Sequence, residues 1–482
     1  MSQKLFRTKP LGELLAETTE EGHSLKKTLR VWDLVALGIG CIIGVGIFVL
    51  PGVEAAKHAG PGIILSFAIA GIASACSAFC YAELAAMIPV AGSAYTYGYA
   101  TMGELPAWII GWDLLLEYMV AACLVSIGWS AYFVNLFNNL LRPWGGALPV
   151  SVTNAPLDWS DQLHRFVSMG AVVNVPAIAI VALLCVLLVR GIKESSRVNL
   201  IIVIIKIVVI LFFIVLAVWH VKPSNWQPFM PFGFGGVMMA APIVFIAFIG
   251  FDAVSTAAEE AVNPQRDIPI GIMASLAVAT VLYMSVSAIM TGVVPYQKLG
   301  VPDPVALVLN ELHMPWASII VSLGAIAAIT SVLLVLLVGQ SRILFAMSRD
   351  GLLPPVLSKV HKRFKTPYMA TIFTALVVAV GSALLPIRVV AELCAIGTLF
   401  AYIIVCCGVI VLRLSRKDIR RPFKVPLFPW LPGAGALLCA YLMINLPKTA
   451  WERFVIWLVI GLVIFFVYSR KHSRLAKRAR CH

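Results

Sequence analysis

The chain has 482 residues, of which 60% are hydrophobic and only 12% are charged, and its mean hydropathy is +0.94. A water-soluble domain has no need of so much apolar surface, so the composition excludes that class and indicates a polytopic membrane protein. The net charge of +14 is carried between the apolar segments. We therefore interpret it as a signal of membrane orientation and not of nucleic-acid binding.

Apolar windows of about 20 residues predict twelve transmembrane helices, numbered here in chain order as helices 1 to 12. The predicted spans are 31–55, 61–88, 103–135, 170–190, 196–220, 236–259, 269–293, 315–345, 367–384, 389–413, 427–446 and 450–469. Asp267 is predicted to cap helix 7, with Pro269 in its first turn. Residues 1–30 lack an apolar core and a cleavage site, so we predict a cytoplasmic tail and not a signal peptide.

The basic residues predict the orientation of the helices. With the N-terminus in the cytoplasm, 28 of the 37 Lys and Arg residues fall in cytoplasmic segments, eight in external segments, and Lys206 inside a helix. Cytoplasmic loops carry an excess of Lys and Arg, so this bias predicts that both termini are cytoplasmic, including the basic tail 470–482. The expected location is the cell membrane, which in a bacterium is the inner membrane.

The twelve helices divide into two units of five and a remaining pair. Residues 31–220 form helices 1–5, residues 236–413 form helices 6–10, and residues 427–469 form helices 11–12. Because each unit has an odd number of helices, the second unit is inverted in the membrane relative to the first. The predicted fold class is an all-α polytopic membrane protein with a 5+5 inverted repeat.

Both units begin with an interrupted helix. Helix 1 carries four glycines in "GIGCIIGVG" (38–46), and helix 6 carries Pro242, Gly250 and Asp252 within an apolar run. Interrupted helices at matching positions are the best sequence pointer to the binding site of a secondary transporter. Backbone amides at the start of a half-helix suit a carboxylate, and free carbonyls suit an ammonium group. The alternative is that the Gly40/Gly44 pair only lets two helices pack closely.

Several charged residues lie inside the predicted membrane spans. Lys206 lies about ten residues from either end of helix 5, so it is expected to titrate as a proton carrier or to form a structural ion pair. Glu117 is deep enough in helix 3 to face a cavity, whereas for Asp113, one turn earlier and nearer the membrane boundary, a capping or solvated role stays open. Asp252 either meets a cationic substrate group or holds the helix 6 break together. Glu83 is expected to pair with a base on the cytoplasmic side.

Other polar residues have a simpler interpretation. The hydroxyls of Thr330 and Ser331 in helix 8 either bond to their own backbone or line a proton or ion site facing helix 1. Glu259 and Glu260 are expected to be solvated at the end of helix 6. The ten Cys residues have no metal-site spacing and are read as small packing residues, so no metal and no cofactor are predicted.

Several motifs together resemble one transporter family. These are "GIGCIIGVGIFVLPG" (38–52), "YAELAAMIPVAGSAYTY" (81–97), "GWDLLLEY" (111–118), "FIGFDAVSTAAEEAVNPQRDIPIGI" (248–272) and "SRDGLLP" (348–354). They resemble the amino acid–polyamine–organocation superfamily, and within it the cationic amino acid transporter family in its shorter bacterial form. The resemblance runs from about residue 25 to 470. It implies the 5+5 inverted repeat of the leucine transporter, with alternating access.

The resemblance also implies a set of site residues. The substrate carboxylate would bind backbone amides around Gly44, Val45 and Gly46, and Lys206 would occupy the place of the sodium ion in sodium-coupled relatives. The full set assigned to substrate is Ile42, Ile43, Gly44, Val45, Gly46, Glu117, Phe245, Ile246, Phe248, Ile249 and Asp252, with carbonyls of Phe245, Ile246 and Phe248 taking the amino group. The set assigned to proton coupling is Lys206, Thr330 and Ser331.

These features predict a proton-coupled transporter of L-amino acids, cationic, small and neutral, or both. The helix 8 side of the pocket (Val332, Leu333, Leu336) is apolar, which argues against a strong preference for a cationic side chain. An amino-acid exchanger of the same fold stays open. A sodium symporter is disfavoured because Lys206 would repel the ion, and no motif supports an intramembrane enzyme or a receptor. The expected partners are the substrate and the lipid bilayer; a small membrane subunit or a bound lipid cannot be read from the sequence.

Overall fold

The computed structural model describes residues 29–87, 95, 98–99, 103–160, 165–191, 196–256, 261–415 and 421–474. Most of the tail predictions, for residues 1–28 and 475–482, lie outside the described residues, as do Glu259 and Glu260.

Helical structure occupies each of the twelve predicted segments, and the numbering of helices is kept. Helix 1 is broken into Val31–Ile42, Val45–Phe48 and Leu50–Glu54, followed by a π turn at Ala55–Ala59 and a 3-10 turn at Gly60–Gly62. Helices 2 to 5 are Ile63–Met87, Glu104–Leu141, Val175–Arg190 and Ser196–Ala217. Helix 6 consists of Gly233–Val244, a 3-10 turn at Phe245–Phe248, and Ala253–Thr256.

The second half of the chain continues in the same way. Helices 7 to 12 are Pro264–Val293, Pro315–Arg349, Tyr368–Leu384, Ile387–Ser415, Trp430–Ile444 and Lys448–Ile464, the last extended by a π turn at Phe465–Ser469 and by Arg470–His472. Further 3-10 turns lie at Arg142–Trp144, Val150–Val152, Val218–His220, Pro223–Trp226, Tyr296–Leu299 and Pro355–Ser358.

Within the described residues, seven helices are long and apolar enough to cross a membrane, judged by length and composition. Five further apolar helices are shorter: Val31–Ile42, Val175–Arg190, Gly233–Phe248, Tyr368–Leu384 and Trp430–Ile444. The molecule is thus a mostly helical, multi-pass membrane protein.

Two elements outside the predicted spans were not expected from apolar windows. Strands β1 (Leu157–Ser160) and β2 (Arg165–Ser168) form an antiparallel hairpin, with Leu157 opposite Ser168, in the connection between helices 3 and 4. A short helix, Pro304–Glu311, lies between helices 7 and 8. Both escaped prediction because a window of about 20 residues does not detect elements of four or eight residues.

The predicted start of helix 7 is wrong by about one turn. The helix begins at Pro264, with Asn263 at the N-cap position, so Asp267 lies inside the first turns and Pro269 lies in the helix interior. Proline is favoured at the first helical position because its missing N–H would have no partner there. Pro264 occupies that first position in the structure, whereas the prediction placed Pro269 in the first turn.

Helix 3 organises the bundle, because it packs against helices 8, 9 and 10, while helix 7 packs against helices 1 and 2. Helix 5 lies against helices 1 and 8. The two broken helices, 1 and 6, meet in the middle of this arrangement, where residues such as Ile43, Phe245 and Phe248 are fully buried. Their breaks are therefore enclosed by protein and not by lipid, as unpaired backbone at membrane depth requires.

The predicted basic partner of Glu83 is present. Arg413 of helix 10 binds both carboxylate oxygens of Glu83, Arg421 lies 3.7 Å away, and the backbone N–H of Val425 donates to the same carboxylate at 2.7 Å. The Arg413 guanidinium also lies over the ring of Phe428, 4.4 Å from its centroid. Glu83 thus ties the end of helix 2 to helix 10 and to the segment leading into helix 11.

Candidate functional site

The helix 1 break follows the glycine cluster. The first piece ends at Ile42, Gly44 has an extended backbone, and a new turn starts at Val45. A Cβ on Gly46 would lie 2.5 Å from the Cβ and 2.6 Å from the Cα of Ala247 in helix 6. Gly44 therefore lies in the break, as the sequence indicates, and Gly46, which is outside the Gly40/Gly44 pair, allows the two broken helices to touch.

The helix 6 break lies directly opposite. Gly250 has φ +112°, a conformation that glycine adopts readily and other residues rarely do, and a Cβ there would lie 2.8 Å from the carbonyl of Cys41. The N–H of Gly250 donates to Oδ1 of Asp252 at 3.2 Å, and the hydroxyl of Tyr118 donates to Oδ2 at 3.1 Å. Asp252 thus holds the unwound segment and joins it to helix 3.

Side chains from three other helices bind the carbonyl groups near the breaks. Nζ of Lys206 donates to the carbonyl of Gly40 at 2.6 Å, and the hydroxyl of Tyr132 donates to the carbonyl of Phe48, also at 2.6 Å. The hydroxyl of Tyr283 lies 2.8 Å from the carbonyl oxygen of Ile42 and 2.7 Å from that of Ala247. These bonds supply the partners that an interrupted helix would otherwise lack.

A cavity with an empty volume of about 550 Å³ lies between the two breaks. Helices 1 and 6 supply one side, and helices 3 and 8 supply the other. Its lining residues are Cys41, Ile42, Gly44, Val45, Gly46, Tyr118, Ala121, Leu124, Val125, Ile246, Ala247, Ile249, Gly250, Asp252, Val332, Val335 and Leu336. The backbone amides that begin the turn at Val45 have no partner inside that turn, so this apolar cavity has a built-in place for an anionic group.

The structure brings most of the predicted substrate residues together and leaves four out. Eleven residues were assigned, and seven of them line the cavity: Ile42, Gly44, Val45, Gly46, Ile246, Ile249 and Asp252. Ile43, Glu117, Phe245 and Phe248 do not line it. The ring of Phe245 instead packs edge-on against Tyr402, and the ring of Phe248 packs at a tilt against Tyr283. Both lie in a tight 3-10 turn, and only one side of such a turn faces the cavity.

The three residues assigned to proton coupling have different surroundings. Lys206 is completely buried beside the helix 1 break. The hydroxyl of Thr330 donates to the carbonyl of Ile326 at 2.6 Å, and that of Ser331 lies 3.3 Å from the carbonyl of Ala328. Both hydroxyls therefore bond within helix 8, as one of the two readings proposed, and neither residue lines the cavity.

The capping or solvated role that the sequence left open for Asp113 does not apply. Helix 3 begins at Glu104, so Asp113 lies more than two turns inside it and is fully buried. In the part of the chain that the structure describes, neither oxygen of Asp113 has a hydrogen-bond partner, and Oε2 of Glu117 has none either. Glu117 lies behind the cavity wall formed by its neighbour Tyr118.

Sequence reasoning missed the two tyrosines that connect the site. Tyr118 follows Glu117 in the motif "GWDLLLEY", and Tyr283 lies in an otherwise apolar stretch of helix 7. A buried tyrosine usually finds a partner for its hydroxyl, so a lone tyrosine in an apolar helix was the available signal. For the described ranges, no group of three or more His, Cys, Asp or Glu side chains is placed to hold a metal ion.

Two discontinuous helices that line one cavity, inside a multi-pass membrane protein, define a membrane transporter and not an enzyme. The chain belongs to the amino acid permease family, whose model matches residues 29–473. It is 52% identical over 476 residues to the branched-chain amino acid permease BcaP of Bacillus subtilis, covering 98% of this chain and all of that protein.

Other relatives are named for different substrates. The methylthioribose transporter of Bacillus subtilis is 47% identical, covering 98% of this chain and 99% of that protein. Cationic amino acid transporter 1 of Arabidopsis thaliana is 32% identical, covering 98% of this chain and 87% of that protein. The similarity therefore establishes a permease of the amino-acid-transporting family, while the relatives differ in what they carry.

Proposed function

We propose that the protein carries neutral, apolar L-amino acids across the cell membrane by alternating access, coupled to protons. The observation that carries this proposal is the meeting of the two helix breaks at one mostly apolar cavity. Such a cavity offers unwound backbone to the charged ends of an amino acid and side chains to the rest of it.

The two ends of the substrate are assigned by charge. The carboxylate binds the backbone amides at Gly44, Val45 and Gly46, where a helical turn begins. The ammonium group binds the carbonyl end of the helix 6 break, near Ile246 and Ile249. This orientation places the substrate side chain against helices 3 and 8.

The lining of the cavity supports a neutral, apolar side chain. Ala121, Leu124, Val332, Val335 and Leu336 face the space that the side chain would fill. The acid in the cavity, Asp252, already accepts bonds from Tyr118 and Gly250, and Glu117 lies outside the lining. Similarity to a branched-chain amino acid permease supports the same choice. A cationic substrate would bring a buried positive charge without a free partner in this lining.

Proton coupling is assigned to Lys206. Its buried ammonium group binds the Gly40 carbonyl, one turn before the helix 1 break, so loss of its proton would loosen that part of the helix. A buried lysine exchanges its proton more readily than an exposed one. A sodium ion beside Lys206 would be repelled. Exchange of internal for external amino acids is the alternative mode of the same fold.

The proposal includes the topology predicted from the sequence. Twelve crossings, with units 31–220 and 236–413 as inverted repeats, helices 11–12 at 427–469, and cytoplasmic tails 1–30 and 470–482, account for the charge bias. Contacts between segments assigned to one side support it. Leu29 bridges to Ala261, the N–H of Arg474 donates to the carbonyl of Asp350, and the N–H of Asn174 donates to the carbonyl of Ala383.

The test is uptake into proteoliposomes that carry an inward proton gradient, with labelled leucine, alanine and arginine, with and without sodium. We expect gradient-driven, sodium-independent uptake that is fastest for leucine, and no competition by methylthioribose. Faster uptake of arginine would contradict the assignment of the side-chain pocket. Rapid counterflow from preloaded vesicles without net uptake would identify an exchanger.

The same assay tests Lys206. In Lys206→Ala we expect uptake that no longer varies with pH, because the titrating group is gone. Lys448→Ala is the matched control, since Lys448 is an exposed lysine at the start of helix 12, outside both broken helices. Unchanged pH dependence in Lys206→Ala would remove the proton-coupling role from this residue.

A further inference from the structure

A second, larger cavity lies on the side of the molecule that we assign as external. It has an empty volume of about 1270 Å³ and is lined by the hairpin connection, helix 3, and the segments before helices 8 and 10. We call it the vestibule. Its charged lining residues are Lys57, Asp158, Asp303 and Arg388. It lies further along helix 3 than the substrate cavity, since it is lined by Ile127, Ala131 and Asn135 where the latter is lined by Ala121 and Leu124.

The carboxylate of Asp303 is held by a hydrogen bond from helix 3. Nδ2 of Asn135 donates to its Oδ2 at 2.5 Å. The orientation of the Asn135 amide is set from behind, because Asn139 donates to its Oδ1 at 2.9 Å and Ser322 at 3.4 Å. Asn135 therefore presents only a donor to Asp303, and either a carboxylate or a protonated carboxyl group can accept that bond.

Asp303 also lies at the N-cap position of the short helix Pro304–Glu311, which contacts helices 1 and 8. Pro304 fills the space where a Cβ on Gly52 would lie, so the outer piece of helix 1 rests directly on this helix. The hydroxyl of Ser318 in helix 8 lies 3.3 Å from the carbonyl of Ala306. The bond between Asn135 and Asp303 thus joins helix 3 to the segment 299–311, against which the outer piece of helix 1 packs.

We propose that Asp303 is a proton-sensitive latch, which holds the 299–311 segment and the outer piece of helix 1 against helix 3 when the solution in the vestibule is acidic. The inference goes beyond the proposed function, because it involves neither the substrate cavity nor Lys206.

The electrostatics of the latch give the direction of the effect. Burial raises the pKa of Asp303 from 3.8 to about 6, although the hydrogen bond from Asn135 acts in the opposite sense. A carboxyl group whose pKa is raised in one arrangement favours that arrangement fully below the unperturbed value of 3.8, and this preference is lost progressively as the pH rises from there to about 6. The attached arrangement is therefore favoured by acid, and neutral pH favours release into the water of the vestibule.

Among the described residues, no other charged or titratable group makes the bond to Asn135 that Asp303 makes. Tyr132 on helix 3 donates its hydroxyl to the carbonyl of Phe48. Three further charged residues line the same vestibule: Lys57 at the end of helix 1, Asp158 on β1 and Arg388 at the start of helix 10. Arg388 is paired with Glu392. Asp158 provides a second carboxylate in the same water-filled space, which makes it the matched control.

The experiment measures how fast a membrane-impermeant thiol reagent modifies Ala306→Cys, a position on the 299–311 segment that is fully buried in the attached arrangement. Rates are divided by those of Ser224→Cys, an exposed position outside the vestibule, to remove the pH dependence of thiol chemistry, and the parent protein gives the background. Between pH 7.5 and pH 5.0 we expect the corrected rate to fall by up to about tenfold. This is the change in the equilibrium between the released and attached arrangements that follows from pKa values of 3.8 and about 6.

Three variants decide the outcome. In Asp303→Asn, which keeps an acceptor for Asn135 and has no charge, we expect a slow rate at both pH values; Asp158→Asn keeps the parental fall. Asn135→Ala removes the donor, so we expect faster modification at both pH values. A rate that does not change with pH in the parent overturns the proposal, and so does a full pH dependence in Asp303→Asn. Because labelling needs no substrate, a failure of uptake and a failure of the latch are separate results.

Discussion

Gly44 and Gly46 are two positions apart, yet a side chain at each would meet a different kind of neighbour. At Gly46 a Cβ would meet the backbone Cα of Ala247 at 2.6 Å, which cannot move without displacing helix 6. At Gly44 it would meet Cγ2 of Val332 at 2.9 Å, the end of a side chain that can be shortened. Glycine is therefore needed at Gly46 to make room for the backbone of helix 6, and at Gly44 to make room for a side chain of helix 8.

This difference gives a rescue experiment at Gly44. In Gly44→Ala we expect weaker substrate binding, by roughly 1–3 kcal/mol or about 5- to 150-fold, because an added methyl group overpacks the site. Adding Val332→Ala to the same chain should restore most of the affinity. Equilibrium binding of labelled leucine to purified protein measures both, and Gly235→Ala is the control, since nothing lies within 4 Å of a Cβ there. Normal binding by Gly44→Ala, or a loss that Val332→Ala does not relieve, would place the carboxylate site elsewhere.

At the scale of elements, the ties between helices are made by a few buried polar groups. Glu83 joins helices 2 and 10, Lys206 joins helices 5 and 1, and Tyr283 joins helix 7 to both breaks. Apolar packing alone would let such helices slide past one another, because lipid and protein interiors are about equally apolar. Specific hydrogen bonds fix which turn of one helix faces which turn of the next.

The ion pair of Glu83 tests this idea. Glu83→Ala leaves Arg413 and Arg421 buried without their carboxylate, so we expect the free energy of unfolding to fall by roughly 3–5 kcal/mol. Thermal denaturation of the protein in detergent, followed by size exclusion, measures the loss. Glu311→Ala is the matched control, because Glu311 is 41% exposed in its pair with Lys298 and should cost about 1 kcal/mol or less. Equal losses in the two variants would show that burial of the Glu83 pair does not matter for stability.

At the scale of the whole molecule, segments that are distant in sequence meet at the same two faces. Gly52 and Pro304 meet at the face we assign as external, while Leu29 and Ala261 meet at the opposite face. Such pairings restrict the orientation of the helices between them. They agree with the distribution of Lys and Arg residues, which sets orientation during membrane insertion.

Two single cysteines test the orientation. In right-side-out vesicles we expect an impermeant maleimide to label Ser224→Cys at once and Lys362→Cys only after the membrane is opened. Both positions are exposed, and they follow helices 5 and 8 respectively. The parent chain, treated in parallel, gives the labelling of its own cysteines. Immediate labelling at Lys362→Cys and protection at Ser224→Cys would invert the topology.

Local chemistry explains which features could be predicted. The glycines of helix 1 indicate its break, and Gly250 and Asp252 indicate the break in helix 6. Both breaks lie where the sequence indicates. A buried charge needs a partner, so a base near Glu83 could be expected as well. The exclusion of Phe245, Phe248 and Glu117 from the cavity could not be predicted, because it depends on which side of a turn faces inward.

The sequence by itself determined that this is a multi-pass membrane protein with two interrupted helices and a lysine in the middle of a third. These properties follow from the composition of short stretches and from the cost of placing charges and unpaired backbone in lipid. Only the tertiary structure decided that Tyr118 and Val332 share a cavity wall and that Tyr283 joins the two breaks. The pairing of Asp303 with Asn135 is of the same kind. Such contacts join residues from 36 to more than two hundred positions apart, and helical periodicity records which face of a helix is apolar but not which helix it meets.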